Sequence, residues 1–237
     1  MSKVLEIQHC SLPQTKTNYA EETGHIYLVA DGLGGAPAVK SIEGFLLNTF
    51  KWFFQLEGPE KESVFAEFQT ALKQADVRIF REVADHPDLH GMGTTLTLAY
   101  SLGTNLFVAN AGDSRCYLFR DGKLLQLTRD QNLAADRTRG GMLPPGRPNR
   151  LSHIVTNAIG GRQPGVETQV CKAALEAGDV LLLATDGLTR ELSDEQIAEV
   201  LRAKSDPKVT CERLIAEALK AGGRDNITVI VACYETR

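Results

Sequence analysis

The spacing of apolar residues along the chain changes several times, and each change predicts a different kind of element. Residues 38–55 and 60–84 repeat their apolar side chains at helical spacing. The apolar face of the second segment consists of Phe65, Phe68, Leu72, Ile79 and Val83. Short apolar runs at residues 3–9 and 25–30 predict two strands before these helices. The first part of the chain is therefore expected to form strands followed by a pair of helices.

The second part repeats this order. From residue 94 the apolar residues alternate or form short runs, which predicts an antiparallel meander, with Asp121-Gly122 as a hairpin turn. The expected strands of this meander cover residues 95–101, 105–109, 116–120 and 123–127. Further strands are expected at 167–172, 179–185 and 227–234, and helices at 193–203 and 207–221. Ser193 and Gln196 have the spacing of a capping box at the start of the first helix.

Strands grouped in runs beside paired helices predict an α+β layered sandwich rather than alternating strand–helix units. No segment has the composition of a linker, so we expect one domain over residues 1–237. Residues 129–162 interrupt the pattern with glycine, proline and little periodicity, and six arginines against two aspartates give them a charge of +4. Such an insert predicts either a functional flap or a disordered loop.

Composition narrows the classes of function. The chain has 30 acidic and 26 basic residues and a formal charge of −4, which argues against a general nucleic-acid-binding surface. Residues 1–6 contain an acid where a secretory signal is apolar, and no apolar run approaches the roughly 20 residues of a membrane helix. The 5 cysteines are odd in number and widely spaced, which favours free thiols. We expect a cytoplasmic protein with no nucleic-acid or membrane partner.

Four aspartates share a position beside a turn residue at a strand end: Asp31, Asp113, Asp186 and Asp225. One Asp-Gly after a strand is ordinarily only a turn, but four such sites can converge at one edge of a sheet assembly. Clustered carboxylates repel one another unless a hard divalent cation such as Mg²⁺ or Mn²⁺ binds them. The sequence therefore predicts a metal site in which these four acids are withdrawn from solvent.

The motifs DGLGG, GTT (residues 93–95), AGDSR, TDGL and GGRDNIT occur in an order that resembles the PPM-type metal-dependent serine/threonine protein phosphatases, the phosphatase 2C family. The resemblance spans roughly residues 25–234. It implies a four-layer α-β-β-α sandwich, in which two antiparallel sheets are flanked by helix pairs. It also implies two Mn²⁺ or Mg²⁺ ions between the sheets, with a third, weaker ion in bacterial members.

The resemblance also implies the role of each residue. Asp31 would bridge the two metals and the Gly32 carbonyl would bind one of them, while Asp186 and Asp225 would hold the other. Asp113 would bind the third ion. Asp31, Asp186 and Asp225 would thus act in catalysis through bound metals. Residues 129–162 correspond to the flap of the family.

The chain departs from the family near its N-terminus. Thr15 stands where an arginine would bind phosphate, and Ala20 stands where an acid would complete the second metal site. Lys16, and either Glu21 or Glu22, could substitute after a shift of one or two residues, although lysine lacks the bidentate fork of arginine. In the flap, Arg147 and Arg150 are either solvated or attract an acidic phosphopeptide.

The function implied is hydrolysis of phosphoserine and phosphothreonine in proteins, the products of a serine/threonine kinase, by a metal-bridging hydroxide without a phosphoenzyme. The sequence contains no C-x5-R run for cysteine phosphatase chemistry. Leu33 stands where some relatives have a histidine, so no general acid is assigned. The alternative, raised by Thr15 and Ala20, is a weak or inactive relative that binds a phosphoprotein or another partner.

Overall fold

The computed structural model describes residues 24–33, 64–86, 89–142, 150–161 and 164–235. The strand expected at 3–9 and the helix expected at 38–55 lie outside these residues. The strands are β1 Gly24–Val29, β2 Gly32–Leu33, β3 Gly93–Thr94, β4 Leu96–Leu102, β5 Asn105–Ala111, β6 Arg115–Arg120, β7 Lys123–Gln126, β8 Ile159–Gly160, β9 Gln169–Ala174, β10 Val180–Ala184 and β11 Val229–Cys233. The helices are α1 Val64–Asp85, α2 Leu133–Arg139, α3 Asp186–Thr189, α4 Asp194–Arg202 and α5 Pro207–Ala221, with a 3-10 helix at Arg150–His153.

The strands form two four-stranded sheets and a small ribbon. Sheet A has the order β1-β4-β5-β9, and sheet B has the order β11-β10-β6-β7. The ribbon consists of β2, β3 and β8, and it continues from the end of β1 toward the flap. Neighbouring strands are antiparallel in all three. The predicted meander from β4 to β7 is present, but it crosses from sheet A to sheet B between β5 and β6.

The core is layered because side chains on each strand alternate between two apolar environments. On β10, Leu181 and Leu183 pack between the two sheets, whereas Leu182 and Ala184 pack under the helices α3, α4 and α5. On the opposite side of the molecule, Phe68 and the rest of the predicted apolar face of α1 cover the outer face of sheet A. The order of layers is therefore helix, sheet, sheet, helix, which confirms the predicted α+β sandwich.

The flap differs from the prediction. Residues 129–162 were expected to be irregular, but they contain α2, the 3-10 helix and β8. The Asn132 side chain caps α2 by accepting a hydrogen bond from the Ala135 N–H at 3.0 Å. Helix α2 has no buried residue, so it lacks the apolar periodicity from which a helix can be predicted. The prediction of an irregular segment was wrong for this physical reason.

A buried carboxylate fixes the end of the flap to α1. Asp76 accepts hydrogen bonds from the backbone N–H groups of Gly160 at 2.7 Å and Gly165 at 2.9 Å. Gly160 itself has a φ of 75°, and a Cβ there would lie 2.5 Å from the Ile79 side chain. The return strand of the flap is thus held against α1 and against the ribbon that begins at Gly32.

Among the described residues, no helix combines the length and the apolar character needed to cross a membrane.

Candidate metal centre

Asp31 lies where β1 of sheet A ends and the ribbon begins. Its backbone is held on both sides by the GTT motif, because Thr95 donates its N–H to the Asp31 carbonyl at 2.9 Å and accepts the Asp31 N–H at 3.1 Å. The Thr94 hydroxyl also donates to the Asp31 carbonyl at 3.0 Å. The Thr95 hydroxyl is in turn 2.8 Å from that of Ser114. The GTT and AGDSR motifs therefore fix the backbone of Asp31 and leave its carboxylate free for other contacts.

Asp186 and Asp225 are brought together by a glycine. Asp186 opens α3 directly after β10, and Gly187 follows it. A Cβ at Gly187 would lie 2.1 Å from the Asn226 carbonyl oxygen, so only glycine admits the loop that carries Asp225. The Thr185 hydroxyl reinforces this approach by accepting the Thr228 N–H at 3.0 Å. The glycine of the TDGL motif thus serves close packing rather than a turn of positive φ.

Asp113 lies in the turn between β5 and β6, on the side of sheet B that faces Asp31. The preceding Gly112 has a φ of 112°, and a Cβ there would meet the Thr95 side chain at 2.6 Å. Asp113 is 3% exposed and Asp186 is 6% exposed, whereas the side chain of Asp225 is 44% exposed. The expectation that all four acids are withdrawn from solvent is thus wrong for Asp225, because its loop lies at the rim of the site.

A fifth residue, Arg190, contacts three of the four carboxylates. Its Nη2 forms an ion pair with Asp186 Oδ2 and lies 3.6 Å from Asp113 Oδ2. Its Nη1 lies 3.4 Å from Asp225 Oδ2, and its Nη2 donates to the Ser152 carbonyl of the flap at 3.3 Å. The sequence analysis missed Arg190, although an arginine four residues after an acid on a helix is a recognisable ion-pair spacing.

The electrostatics show how closely the carboxylates approach one another. Burial raises the pKa of Asp31, and repulsion from Asp186, Asp225 and Asp113 raises it further. Burial and the charge of Asp186 raise the pKa of Asp113 to about 6, although Arg190 and Asn132 oppose that shift. The pKa of Asp186 is also raised, chiefly by burial, against the opposing effect of Arg190. In the folded protein, burial and the neighbouring carboxylates thus disfavour the charged form of these three acids.

The chemistry of these side chains fits a divalent cation. Asp113 Oδ2 and Asp186 Oδ1 are buried and accept no hydrogen bond, which is costly for a carboxylate unless an ion completes its contacts. Oxygen ligands of this kind are those that Mg²⁺ and Mn²⁺ prefer. Within the described ranges, however, no three His, Cys, Asp or Glu side chains are arranged to hold an ion as they stand. In this arrangement the guanidinium of Arg190 is the cation shared by three of the aspartates.

Other predicted residues fall elsewhere. Lys16, Glu21 and Glu22 lie outside the described residues, as do Thr15 and Ala20, and so does Arg147 of the flap. Arg150 is exposed and begins the 3-10 helix of the flap, two residues before Ser152. Gly32 lies in β2, where it pairs with Thr94. His153, which sequence analysis did not select, acts on Asp186 electrostatically and favours its charged form.

The base of the flap also encloses a polar cavity of about 390 Å³. It is lined by Arg129, Gln131, Asp136, Arg139, Thr156, Asn157, Glu167 and Gln169. Its two arginines are balanced by two acids, and Arg139 forms an ion pair with Asp136. This balance makes the cavity a poorer site for an anion than its arginines alone would indicate.

Comparison with known proteins decides the family. The sequence profile described as Protein phosphatase 2C matches residues 1–137 of the chain. The chain belongs to the protein phosphatase 2C family. Serine/threonine phosphatase stp of Listeria innocua is 31% identical over 212 residues, which make up 87% of this chain and 83% of that protein.

One solved relative in this family contains metal ions. Serine/threonine protein phosphatase PstP of Mycobacterium tuberculosis is 35% identical over 211 residues, which cover 86% of this chain but only 39% of the length of PstP. The catalytic domain of PstP, solved in complex with 2 manganese ions, is 33% identical and superposes with a TM-score of 0.76, covering 91% of this chain and 92% of that domain. The match therefore concerns the catalytic part of PstP.

Proposed function

We propose that this chain acts as one catalytic domain that hydrolyses phosphoserine and phosphothreonine in proteins with the aid of Mn²⁺ or Mg²⁺. The observation that carries this proposal is the convergence of four strand-end aspartates, two of which have a buried oxygen that accepts no hydrogen bond. The names of the relatives and the manganese ions in the PstP catalytic domain support the same reaction and the same type of ion.

The residues have separate tasks in this proposal. Asp31, Asp186 and Asp225 hold the metal ions, with the Gly32 carbonyl as a further ligand. When bound, the ions supply an activated water nucleophile and positive charge for the phosphate oxygens, so that no phosphoenzyme is needed. The backbone bonds of Thr94 and Thr95 keep Asp31 in place during the reaction. Arg147 and Arg150 of the flap attract the acidic phosphopeptide, which a kinase of the serine/threonine class produces.

The N-terminal part of the site is assigned by the same proposal. Lys16 takes the place of the missing phosphate-binding arginine, and Glu21 or Glu22 takes the place of the missing acid of the second metal site. A cytoplasmic location fits the four cysteines of the described residues, Cys116, Cys171, Cys211 and Cys233, which are free thiols.

A direct test is the hydrolysis of p-nitrophenyl phosphate with and without Mn²⁺. We expect metal-dependent turnover in the wild type and its loss in Asp31→Asn, because the amide cannot offer two anionic oxygens to metal ions. Asp121→Asn is the matched control, since Asp121 is exposed in the β6–β7 turn at a φ of 51°, which asparagine also adopts. Equal turnover of Asp31→Asn and Asp121→Asn would contradict the proposal.

A second candidate function is favoured by Arg190. Its guanidinium pairs with three of the aspartates and so competes with the metal ions that hydrolysis needs. A chain without those ions would bind a phosphoprotein but not hydrolyse it. A wild-type protein that shows no turnover at millimolar Mn²⁺, but binds a phosphothreonine peptide more tightly than the unphosphorylated peptide, would support this candidate. Turnover in the same assay would exclude it.

A further inference from the structure

Arg190 joins four separate segments of the chain through one side chain. It contacts Asp113 in the β5–β6 turn, Asp186 on α3, Asp225 in the loop before β11 and the Ser152 carbonyl in the flap. The side chain is 21% exposed, so it lies largely within the site rather than on the surface. An arginine that only stabilised α3 would need no contact beyond its i, i+4 ion pair with Asp186.

The position of the guanidinium matters most for Asp113 and Asp186. Of the four candidate ligands these are the two buried aspartates, and each has one oxygen without a hydrogen bond. The Nη2 atom of Arg190 forms a close ion pair with Asp186 Oδ2 and lies 3.6 Å from Asp113 Oδ2, so the negative charge of both is already opposed by a permanent cation. Arginine does not lose its proton in proteins, so this positive charge is present at every working pH.

A divalent ion held by Asp113 and Asp186 together would have to bind beside that guanidinium or displace it. Binding beside it brings two positive groups into one partly desolvated place, where their repulsion is poorly screened. Displacing it breaks the contacts of Arg190 with three aspartates and with Ser152. Both routes oppose an ion between Asp113 and Asp186. The ions that Asp31 helps to hold are opposed less, because the structure shows no contact between Arg190 and Asp31, and the contact of Arg190 with Asp225 is to a side chain that is 44% exposed and therefore screened by solvent.

We propose that Arg190 takes the place of a third metal ion, so that the centre binds one divalent cation fewer than the same centre would without Arg190. This inference rests on the metal-dependent function proposed above. Arg190 is then a positioning residue: it neutralises the Asp113–Asp186 pair and connects this pair to the flap through the Ser152 carbonyl. Asp113 then binds Arg190 in place of the third, weaker ion that the family resemblance implies.

The number of bound ions is the measurement that separates this role from a purely structural ion pair. We would titrate wild type, Arg190→Gln, Arg190→Lys and Arg202→Gln with Mn²⁺ in a calorimeter. Arg202→Gln is the matched control, because this substitution removes the same charge from an exposed arginine on α4, which donates to the Gly122 carbonyl. We expect Arg190→Gln to bind one more Mn²⁺ per chain than wild type, and Arg190→Lys and Arg202→Gln to bind the wild-type number.

Equal numbers in wild type and Arg190→Gln would overturn the inference. If both numbers are zero, the metal-dependent function proposed above fails as well, whereas equal numbers above zero overturn the role of Arg190 alone. A measurement on the wild type keeps the test independent of the stability of the variants. Anomalous scattering from crystals soaked in Mn²⁺ should show no ion bonded to Asp113, with Arg190 still on Asp186. An ion bonded to Asp113 would overturn the inference.

Discussion

Strand β10 has a buried aspartate at each end, and the two have opposite environments. Asp179, just before β10, is 1% exposed, and Asp186, just after it, is 6% exposed. Both carboxylate oxygens of Asp179 accept hydrogen bonds, Oδ1 from Arg120 Nε at 2.8 Å, and Oδ2 from Arg120 Nη2 at 2.6 Å and from the Glu176 N–H at 2.8 Å. Asp186 shares Arg190 with two other aspartates, and its Oδ1 has no partner.

The pKa values of the two groups differ in direction for this reason. Burial alone would raise the pKa of Asp179, but the hydrogen bonds from Arg120 and Glu176 outweigh it and lower the pKa. Burial dominates at Asp186 and raises its pKa, because Arg190 only partly compensates it. The comparison teaches that burial does not distinguish a structural carboxylate from a functional one, whereas incomplete pairing does.

The largest expected difference between the two residues is in catalysis. We predict that Asp186→Asn lowers kcat/KM for p-nitrophenyl phosphate at saturating Mn²⁺ by about 10²–10³-fold, as is usual when one transition-state electrostatic contact is removed. Asp179→Asn should retain the wild-type value, because Asp179 is at the opposite end of β10. Steady-state kinetics of the two variants checks this, and comparable losses in both would remove the distinction.

The glycines beside these aspartates sharpen the contrast. Gly187→Ala should destabilise the protein by about 3 kcal/mol and lower its Mn²⁺ affinity, since the new Cβ overlaps the Asn226 carbonyl and displaces the loop of Asp225. Gly178 has a φ of 90° and nothing within 4 Å of its Cβ position. Gly178→Ala should therefore cost only about 1–2 kcal/mol of backbone strain. Urea denaturation and Mn²⁺ titration measure both effects; unchanged Mn²⁺ affinity in Gly187→Ala would refute the assignment.

Replacing Asp179 itself is expected to lower the stability by less than Gly187→Ala does. Asp179→Asn should lower the free energy of unfolding by about 2 kcal/mol, because the bonds between two charged groups are replaced by weaker bonds to an amide and Arg120 loses one of its two carboxylate partners. The side chain of Arg120 is 30% exposed, so solvent recovers part of the loss. Urea denaturation measures the difference, with Asp121→Asn as the exposed control. A variant as stable as the wild type would show that this ion pair contributes nothing.

The smallest expected effect is the pH dependence of the difference in unfolding free energy between wild type and Asp179→Asn. The pKa of Asp179 is lower in the folded protein than in the unfolded chain, so the unfolded state binds more protons in the acid range. The stability that Asp179 contributes is therefore complete above its unfolded pKa of about 3.9 and is lost as the pH falls through the folded pKa. The difference between wild type and Asp179→Asn should be constant from pH 7 to pH 5 and shrink below pH 4. A difference that grows in acid would contradict the sign.

Much of this architecture could be predicted because the local signals are strong. The apolar face of α1, the Asp121-Gly122 turn and the capping box of Ser193 each specify local geometry from neighbouring residues, and each is present. The position of each of the four aspartates beside a strand end also follows from local signals, namely the end of an apolar run and the turn residues beside it.

The remaining features depend on contacts between distant parts of the chain. Asp76 binds backbone groups 84 and 89 residues away, so no local pattern reveals that it fixes the flap. Arg190 is four residues from Asp186, but its contacts with Asp113 and Asp225 arise only after β10 pairs with β6 and β11, because this pairing places the β5–β6 turn and the loop before β11 beside the end of β10. Helix α2 was missed because its stability comes from its cap rather than from an apolar face.

The central claim is that the incompletely paired aspartates form the metal centre of a protein phosphatase. Its most direct test is the release of inorganic phosphate from a phosphothreonine peptide by the wild-type chain, first in Mn²⁺, then in excess EDTA, and again after Mn²⁺ is restored. The account predicts release in Mn²⁺, no release in EDTA and recovery when Mn²⁺ returns. Release that continues unchanged in EDTA, or no release at millimolar Mn²⁺, would contradict it.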